Sequence, residues 1–332
     1  MPCAGCEENT PVLDILLVTF PFFALVACGY LAARQRMLPL EAIPGLNTFV
    51  LYFALPCMLY RFGAGTPIAQ LLDWVAASVY LVCALVLLAG VVWTSRNERI
   101  GWNDASFGAL VATFPNTGFM GVPLLIALLG AQAAGPAILT ILVDLLVTSS
   151  LCIALSRMDS AGVHGAEVAA KNALKGVAVN PMPWAIVLGG IASALHFEPV
   201  KPLAQTIGLL ADSASPVALF TIGAVLARSQ TIAAMNEHAP MPARDFVPIV
   251  FVKLLVHPAL VWALGHAAIL AGVPLRTSSL TVMVLVAALP SASNVALLSE
   301  RFGADTGRIA RIILLTTAAA FLTFSGAVAI VR

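Results

Sequence analysis

Charge is what this chain has least of. Its 332 residues include 17 Lys and Arg and 16 Asp and Glu, 10 % in all, where a soluble domain carries about 25 %. A water-soluble fold is thereby excluded, and 60 % hydrophobic residues point to an integral membrane protein. Alternating segments of about ten residues, the mark of a membrane barrel, are missing; the apolar runs are about 20 residues long, the length of a spanning helix. There is no basic excess either. With a net charge of +1, no nucleic-acid partner is expected. H-E-x-x-H, G-x-S-x-G and P-loop motifs are absent, so no enzyme is expected. His164 and His238 lie in connections and His196 at the end of an apolar run, without Cys or His partners at metal spacing. Neither a metal nor another cofactor is expected. No basic region precedes the first apolar run, where Glu7 and Glu8 stand instead. That run is therefore expected to stay as a span and not to be cleaved as a signal peptide. Of six cysteines, Cys28, Cys57, Cys83 and Cys152 fall in apolar runs as small hydrophobes. Cys3 and Cys6 form an isolated C-x-x-C in the leading tail, with no function expected.

What is present is a series of long apolar stretches: 11–33, 42–62, 70–93, 104–130, 135–156, 181–197, 203–228, 247–271, 278–299 and 308–331. The fold class they predict is all-α, with ten transmembrane helices. Connections are short except 157–180 and 229–245. The first of these, with Arg157, Asp159, Glu167, Lys171 and Lys175, divides the chain into residues 1–156, a cytoplasmic linker 157–180, and residues 181–332. Lys and Arg set the orientation. With the N-terminus outside, cytoplasmic connections hold Arg34, Arg36, Arg96, Arg99, Arg157, Lys171, Lys175, Arg228, Arg244, Arg301, Arg308 and Arg311, against Arg61, Lys201, Arg276 and Arg332 outside. Both termini are thus expected to face outward. Five spans is an odd number, so the second half enters the membrane in the opposite sense. An inverted 5+5 repeat is expected: the second span of each half carries an internal proline, Pro56 and Pro216, and the fourth carries a break, at Pro115 and Pro290.

The two breaks are the strongest local signal. Ala112-Thr113-Phe114-Pro115-Asn116-Thr117-Gly118-Phe119-Met120-Gly121-Val122-Pro123 puts two prolines, two glycines, an Asn and a Thr inside a spanning run. Leu289-Pro290-Ser291-Ala292-Ser293-Asn294 repeats the interruption. Proline removes a donor and displaces the preceding residue from the helical region. In hydrocarbon, each freed backbone group needs a partner in protein or in a watered cavity. Crossed at their breaks, the two spans give four half-helices near the midplane. Those that start there offer unpaired N–H groups and a partial positive charge, a ready anion site. Pro115, Asn116, Thr117, Gly118, Pro290, Ser291, Ala292, Ser293 and Asn294 are the expected substrate-binding residues. Asn116, Thr117, Ser291, Ser293 and Asn294 either cap the half-helices or turn to a ligand carboxylate.

Ionisable residues inside spans are functional candidates. Asp144, Asp212, Lys253 and His257 are the expected proton- or ion-coupling groups. Lys253 and His257 are four apart and share a helix face. The structural alternatives are an Asp212–Lys253 ion pair, and an Asp144 satisfied by hydroxyls such as Thr148.

Phe114 to Leu125 (FPNTGFMGVPLL) resembles the L-P-N-T-x-x-M-G-x-P-L-L stretch of the auxin efflux carrier family, which includes the plant PIN carriers and bacterial malonate or malate permeases. Ala288-Leu289-Pro290 followed by Glu300-Arg301-Phe302-Gly303, the run Asp212–Gly223 and Lys253-Leu254-Leu255-Val256-His257-Pro258 are similar to later parts of that family. The resemblance covers nearly the whole chain, and the long central loop of plant carriers is replaced by 157–180. It implies ten helices, crossed broken helices four and nine as in NhaA and the bile-acid symporters, and a scaffold of helices 1, 2, 6 and 7. Against this scaffold a crossover transport domain of helices 3–5 and 8–10 would move by an elevator-type motion, carrying organic anions. Pro115 and Pro290 would be the crossover prolines, and Asn116 would hold the substrate carboxylate. Two positions depart: Ser291 stands where plant members have Gln, and Asp144 near where they have uncharged amides.

The expected function is a secondary transporter of small organic anions, such as the dicarboxylates malonate or malate, in a bacterial inner membrane, with protonation of Asp144 coupling transport. A Na⁺-coupled symporter of the same fold and a non-transporting anion sensor are the alternatives. The expected partners are the carboxylate, membrane lipid and H⁺ or Na⁺, with a homodimer left open.

Overall fold

A computed structural model describes residues 11–67, 73–158, 181–235 and 242–331. Among them all regular structure is helical, apart from one isolated antiparallel bridge. The helices are α1 (Pro11–Arg34), α2 (Leu40–Gly65), α3 (Trp74–Ser95), α4 (Trp102–Thr113), α5 (Thr117–Leu129) and α6 (Ala131–Leu155), then α7 (Pro181–Leu195), α8 (Lys201–Met235), α9 (Val247–Leu270), α10 (Thr277–Ala287), α11 (Asn294–Arg301) and α12 (Thr306–Val331). Seven of them, α1, α2, α3, α6, α8, α9 and α12, are long and apolar enough to cross a membrane. Shorter apolar helices are α5, α7 and α10. The stretch expected at 104–130 is two helices, α4 and α5, and the one at 278–299 is α10 and α11. Cys3, Cys6, residues 70–72 and nearly all of 157–180 lie outside the described residues.

These segments helicise because their polar groups are satisfied locally. Hydroxyls fold back on carbonyls one turn earlier, as in Ser78 to Trp74 O (2.7 Å), Thr94 to Gly90 O (2.8 Å) and Thr221 to Val217 O (2.7 Å). Asp73 caps α3 by accepting from the Ala76 N–H (3.0 Å) and takes Arg276 Nη2 at 2.7 Å. Gly130 and Gly303, at φ +85° and +69°, end α5 and α11. Four helices contain a wide π turn: Val50–Ala54, Thr117–Gly121, Asp144–Thr148 and Val252–Val256. Three of these end two residues before a proline, at Pro56, Pro123 and Pro258. There the wide turn accommodates the ring and the missing donor. The turn at Asp144 has no such proline, and an unforced π turn often marks a functional position.

The most extensive contacts pair α1 with α8 and α2 with α7, and both are backbone-close. A Cβ on Gly29 would strike Phe220 O and one on Gly223 would strike Val26 O. On the other pair, a Cβ on Gly189 would come 2.5 Å from Tyr60 O and one on Gly63 3.1 Å from Ile186 O. Small residues let apolar helices approach where no hydrophobic drive separates lipid from protein. The second half of the molecule is tied at one end by Arg308. Its Nε donates to Asp245 O (2.8 Å) and Nη1 to Asp104 O (2.9 Å), joining the starts of α12 and α4 to the turn before α9. Gly29→Ala and Gly223→Ala are expected to cost about 1–3 kcal/mol each through overpacking. Gly90→Ala, with open space around it, should be neutral or slightly stabilising. Thermal melts in detergent check this; equal melting points for all three would refute the packing account.

Candidate functional site

The two breaks meet. Between α4 and α5 lie Phe114-Pro115-Asn116, and between α10 and α11 lie residues 288–293. Pro115 and Ser291 form the antiparallel bridge. The Asn116 N–H donates to Pro290 O (2.8 Å) and the Ala292 N–H to Phe114 O (3.0 Å). Each interrupted backbone thus supplies the partners the other has lost. Gly121 lets the two approach, since a Cβ there would come 2.5 Å from Leu289 Cδ1.

Two carbonyls at the ends of the broken helices, Val111 O and Ala287 O, take side-chain donors. The Ser291 hydroxyl donates to Val111 O at 2.6 Å, and the Ser291 N–H reaches Thr316 Oγ1 at 3.3 Å. Ala287 O, the last carbonyl of α10, receives Lys253 Nζ at 2.9 Å. An ammonium at a helix C-terminus complements both the freed carbonyl and the dipole. The N–H ends are treated differently. Asn116 and Ser293 occupy the N-cap positions of α5 and α11 and their side chains do not cap. The N–H groups of Gly118, Phe119, Ser293 and Asn294 have no partner among the described residues. Thr117 Oγ1 and Asn294 Oδ1 are also buried and unpartnered. Ser291 thus caps the C-terminal end of α4, and the side chains of Asn116 and Ser293 do not cap. Beside the crossing is a small pocket of about 10 Å³, room for about one water molecule. It is lined by Asn47 and Val50 of α2, Ala218, Thr221, Ile222 and Val225 of α8, and by Phe119 and Ser293. Ser293 is the expected site residue that lines it. Asn47 and Thr221 were not singled out in the sequence, although a polar Asn within an apolar span is the kind of signal that marks a cavity.

Behind the crossing, α3, α6, α9 and α10 enclose a polar cluster in a separate apolar core. Asp144, on the unforced π turn, is fully buried. It accepts from Tyr80 Oη (3.0 Å) and Thr148 Oγ1 (3.2 Å), while Ser149 Oγ takes its carbonyl (2.8 Å). Thr148 is thus a partner, as one of the two readings expected. Lys253 Nζ lies 3.0 Å from His257 Nδ1, and both side chains are buried. His257 Nε2 has no partner. Asp212 is elsewhere. It pairs with Arg61 at 2.6 Å, joining α8 to α2, with side chains 68 % and 42 % exposed. The expected Asp212–Lys253 pair is therefore not formed, because Lys253 is drawn to the carbonyl that the break sets free. Among the described residues no group of three or more His, Cys, Asp or Glu is placed to hold a metal.

Interrupted apolar helices whose N–H ends stay unsatisfied around a shared pocket define a membrane transport protein. Residues 15–328 match the family model for membrane transport proteins, and the chain belongs to that family. It is 30 % identical to the "Putative malonate transporter" of Rhizobium meliloti (strain 1021), over 96 % of each chain. It is 25 % identical to the "Uncharacterized transporter YfdV" of Escherichia coli (strain K12), over 86 % of this chain and 88 % of that one. With "Auxin efflux carrier component 8" of Arabidopsis thaliana it shares 21 % identity over 84 % of this chain and 87 % of that one. The likeness to auxin efflux carriers first drawn from the Phe114–Leu125 motif holds over nearly the whole chain.

Removing one member of a buried polar cluster leaves its hydrogen-bond partners unsatisfied, at about 1–3 kcal/mol. Asp144→Asn and Lys253→Met are each expected to destabilise the protein. The double variant should lose less than the sum of the two, because side chains of one buried polar cluster couple. Thermal melts of the four proteins check this; strict additivity would show that the cluster is not a unit.

Proposed function

We propose that the protein is a secondary transporter that carries small carboxylates across the bacterial inner membrane. The observation that carries this reading is that N–H groups at the starts of α5 and α11 are left open beside the crossing. A helix start with free donors and a positive dipole end suits a carboxylate. In this reading Pro115, Asn116, Thr117, Gly118, Pro290, Ser291, Ala292, Ser293 and Asn294 form the substrate cradle. Malonate is the first cargo to test, since a relative at 30 % identity bears that name.

Ten spans in an inverted five-plus-five repeat are part of the proposal, with α4–α5 and α10–α11 as the two broken ones. The glycine contacts support it. Gly29 and Gly189, Val26 and Ile186, Tyr60 and Phe220, Gly63 and Gly223 are equivalent partners in the α1–α8 and α2–α7 packings, each separated by 160 residues. Pro56 and Pro216 have the same spacing. Pro115 and Pro290, and the starts of α4 and α10 and of α6 and α12, are separated by 175. The added length is in keeping with the long connection 229–245. The glycine-packed α1, α2, α7 and α8 would form the scaffold and the remaining helices the moving crossover domain, in an elevator-type cycle. Both termini would face outward, as the Lys and Arg distribution suggests.

For coupling, Asp144, Lys253 and His257 are retained together and Asp212 is set apart with Arg61. Protonation of Asp144 is the proposed coupling step. The Na⁺ alternative is disfavoured because Lys253 already supplies a cation to the freed carbonyl of Ala287. Uptake of labelled malonate into proteoliposomes tests the whole reading. Asn116→Ala and Asp144→Asn are each expected to lower it about tenfold or more, the worth of one hydrogen bond to a charged group. Replacing Na⁺ by K⁺ should leave uptake unchanged. Wild-type rates in both variants would remove this site assignment, and ligand binding without flux would make the protein a sensor.

A further inference from the structure

We propose that Arg61, held by Asp212, is a contact point for the cargo carboxylate on its way to the open N–H groups of the crossing. The inference rests on the carboxylate-carrier reading and adds to it a residue of the route. Asp212 stands 11 residues after Lys201 and 16 before Arg228, near the middle of the 28-residue part of α8 that is apolar enough to cross a membrane. Arg61 belongs to α2, another such helix, and its Nη1 donates to Asp212 Oδ1 at 2.6 Å, so the two charges lie at one level. The Arg61 side chain is 42 % exposed and that of Asp212 68 %. Asp144 and Lys253, also within spans, are instead fully buried with polar partners. An arginine can extend its head to the membrane surface along an apolar stem; an aspartate at mid-span is too short to do so. Charge left open at that depth is costly against hydrocarbon and is met by a watered cavity. Water therefore reaches the middle of α8 along the face that carries Asp212.

That face leads to the crossing. Ser215 follows Asp212 by three residues, a rise of about 4.5 Å on the same side of α8, and its hydroxyl donates to Phe119 O at 3.3 Å. On α2, Leu55 lies against the same turn, where a Cβ on Gly118 would come 3.8 Å from Leu55 Cδ1. Gly118 and Phe119 carry open N–H groups at the start of α5. The ion pair thus stands one to two helical turns from them, with Arg61 six residues beyond Leu55. The small pocket lies the other way, since its residues precede Leu55 on α2 and follow Ser215 on α8. A guanidinium has five donors, and among the described residues Arg61 uses one, on Asp212. The rest of its planar fork is free to receive a second carboxylate. Asp212 fixes the fork and offsets its charge, so an anion arriving there is held loosely enough to move on.

The test measures uptake of labelled malonate by proteoliposomes of the full chain carrying wild type, Arg61→Gln, Arg61→Lys or Asp212→Asn. Matched thermal melts confirm that each variant is folded. Arg61→Gln and Asp212→Asn break the same ion pair, so a merely structural pair predicts the same effect on uptake from both. If Arg61 meets the cargo, the two differ. Arg61→Gln should raise the KM about tenfold or more, whereas Asp212→Asn, which keeps the guanidinium and removes its competitor, should leave the KM unchanged or lower it. Arg61→Lys should recover part of the loss, because it keeps the charge without the fork. Equal changes in KM for Arg61→Gln and Asp212→Asn, or an unchanged KM in Arg61→Gln, would overturn the inference while wild-type uptake leaves the carboxylate-carrier reading standing. If the wild type carries no malonate, that reading falls and this inference with it.

Discussion

Two hydrogen bonds at the crossing, Asn116 N–H to Pro290 O and Ala292 N–H to Phe114 O, are the constraint on which the rest of the structure depends. An apolar helix broken at a proline exposes donors and acceptors to an environment without water. A single break would need a buried water or a polar side chain for each of them. Two breaks set antiparallel to each other satisfy several at once, as two short strands would. That is why interruption can occur in the most buried part of the molecule, and why Gly121, Leu289, Ser291 and Thr316 are packed so closely around it.

The crossing does not treat its ends alike. Val111 O takes the Ser291 hydroxyl and Ala287 O the Lys253 ammonium, while N–H groups at the starts of α5 and α11 remain open. A positively polarised concavity results without any cation being placed in it. The ammonium that closes α10 must itself be buried, and a buried ammonium calls for nearby negative charge. Asp144, held by Tyr80 and Thr148 on a π turn that no proline imposes, is buried in the same helix cluster. Break and cap are therefore one connected arrangement.

Much of this was legible from residues alone. Pro115 and Pro290 announced the breaks because proline cannot donate, wherever it is packed. Pro56, Pro123 and Pro258 likewise sit where the helices widen into π turns. Asp144, Lys253 and His257 stood out because ionisable groups are rare in apolar runs. Asp212 stood out on the same grounds, yet its partner is Arg61 at an exposed position. Sequence spacing relates residues on one helix; it carries no information about which face of another helix lies opposite. Asn47 and Thr221 went unremarked for the same reason, since their interest comes only from the neighbours that α2, α5 and α8 bring to one pocket.

Composition and patterning by themselves determined the membrane environment, the helical class, the places of interruption and the family likeness, because each depends on local chemistry: transfer of side chains out of water, and the missing donor of proline. Tertiary structure alone decided that the two interruptions pair, that Lys253 serves a carbonyl and not Asp212, and that the N–H ends stay open. Those outcomes depend on which unsatisfied groups come within hydrogen-bond reach, and that is fixed only when helices distant in sequence are packed against one another.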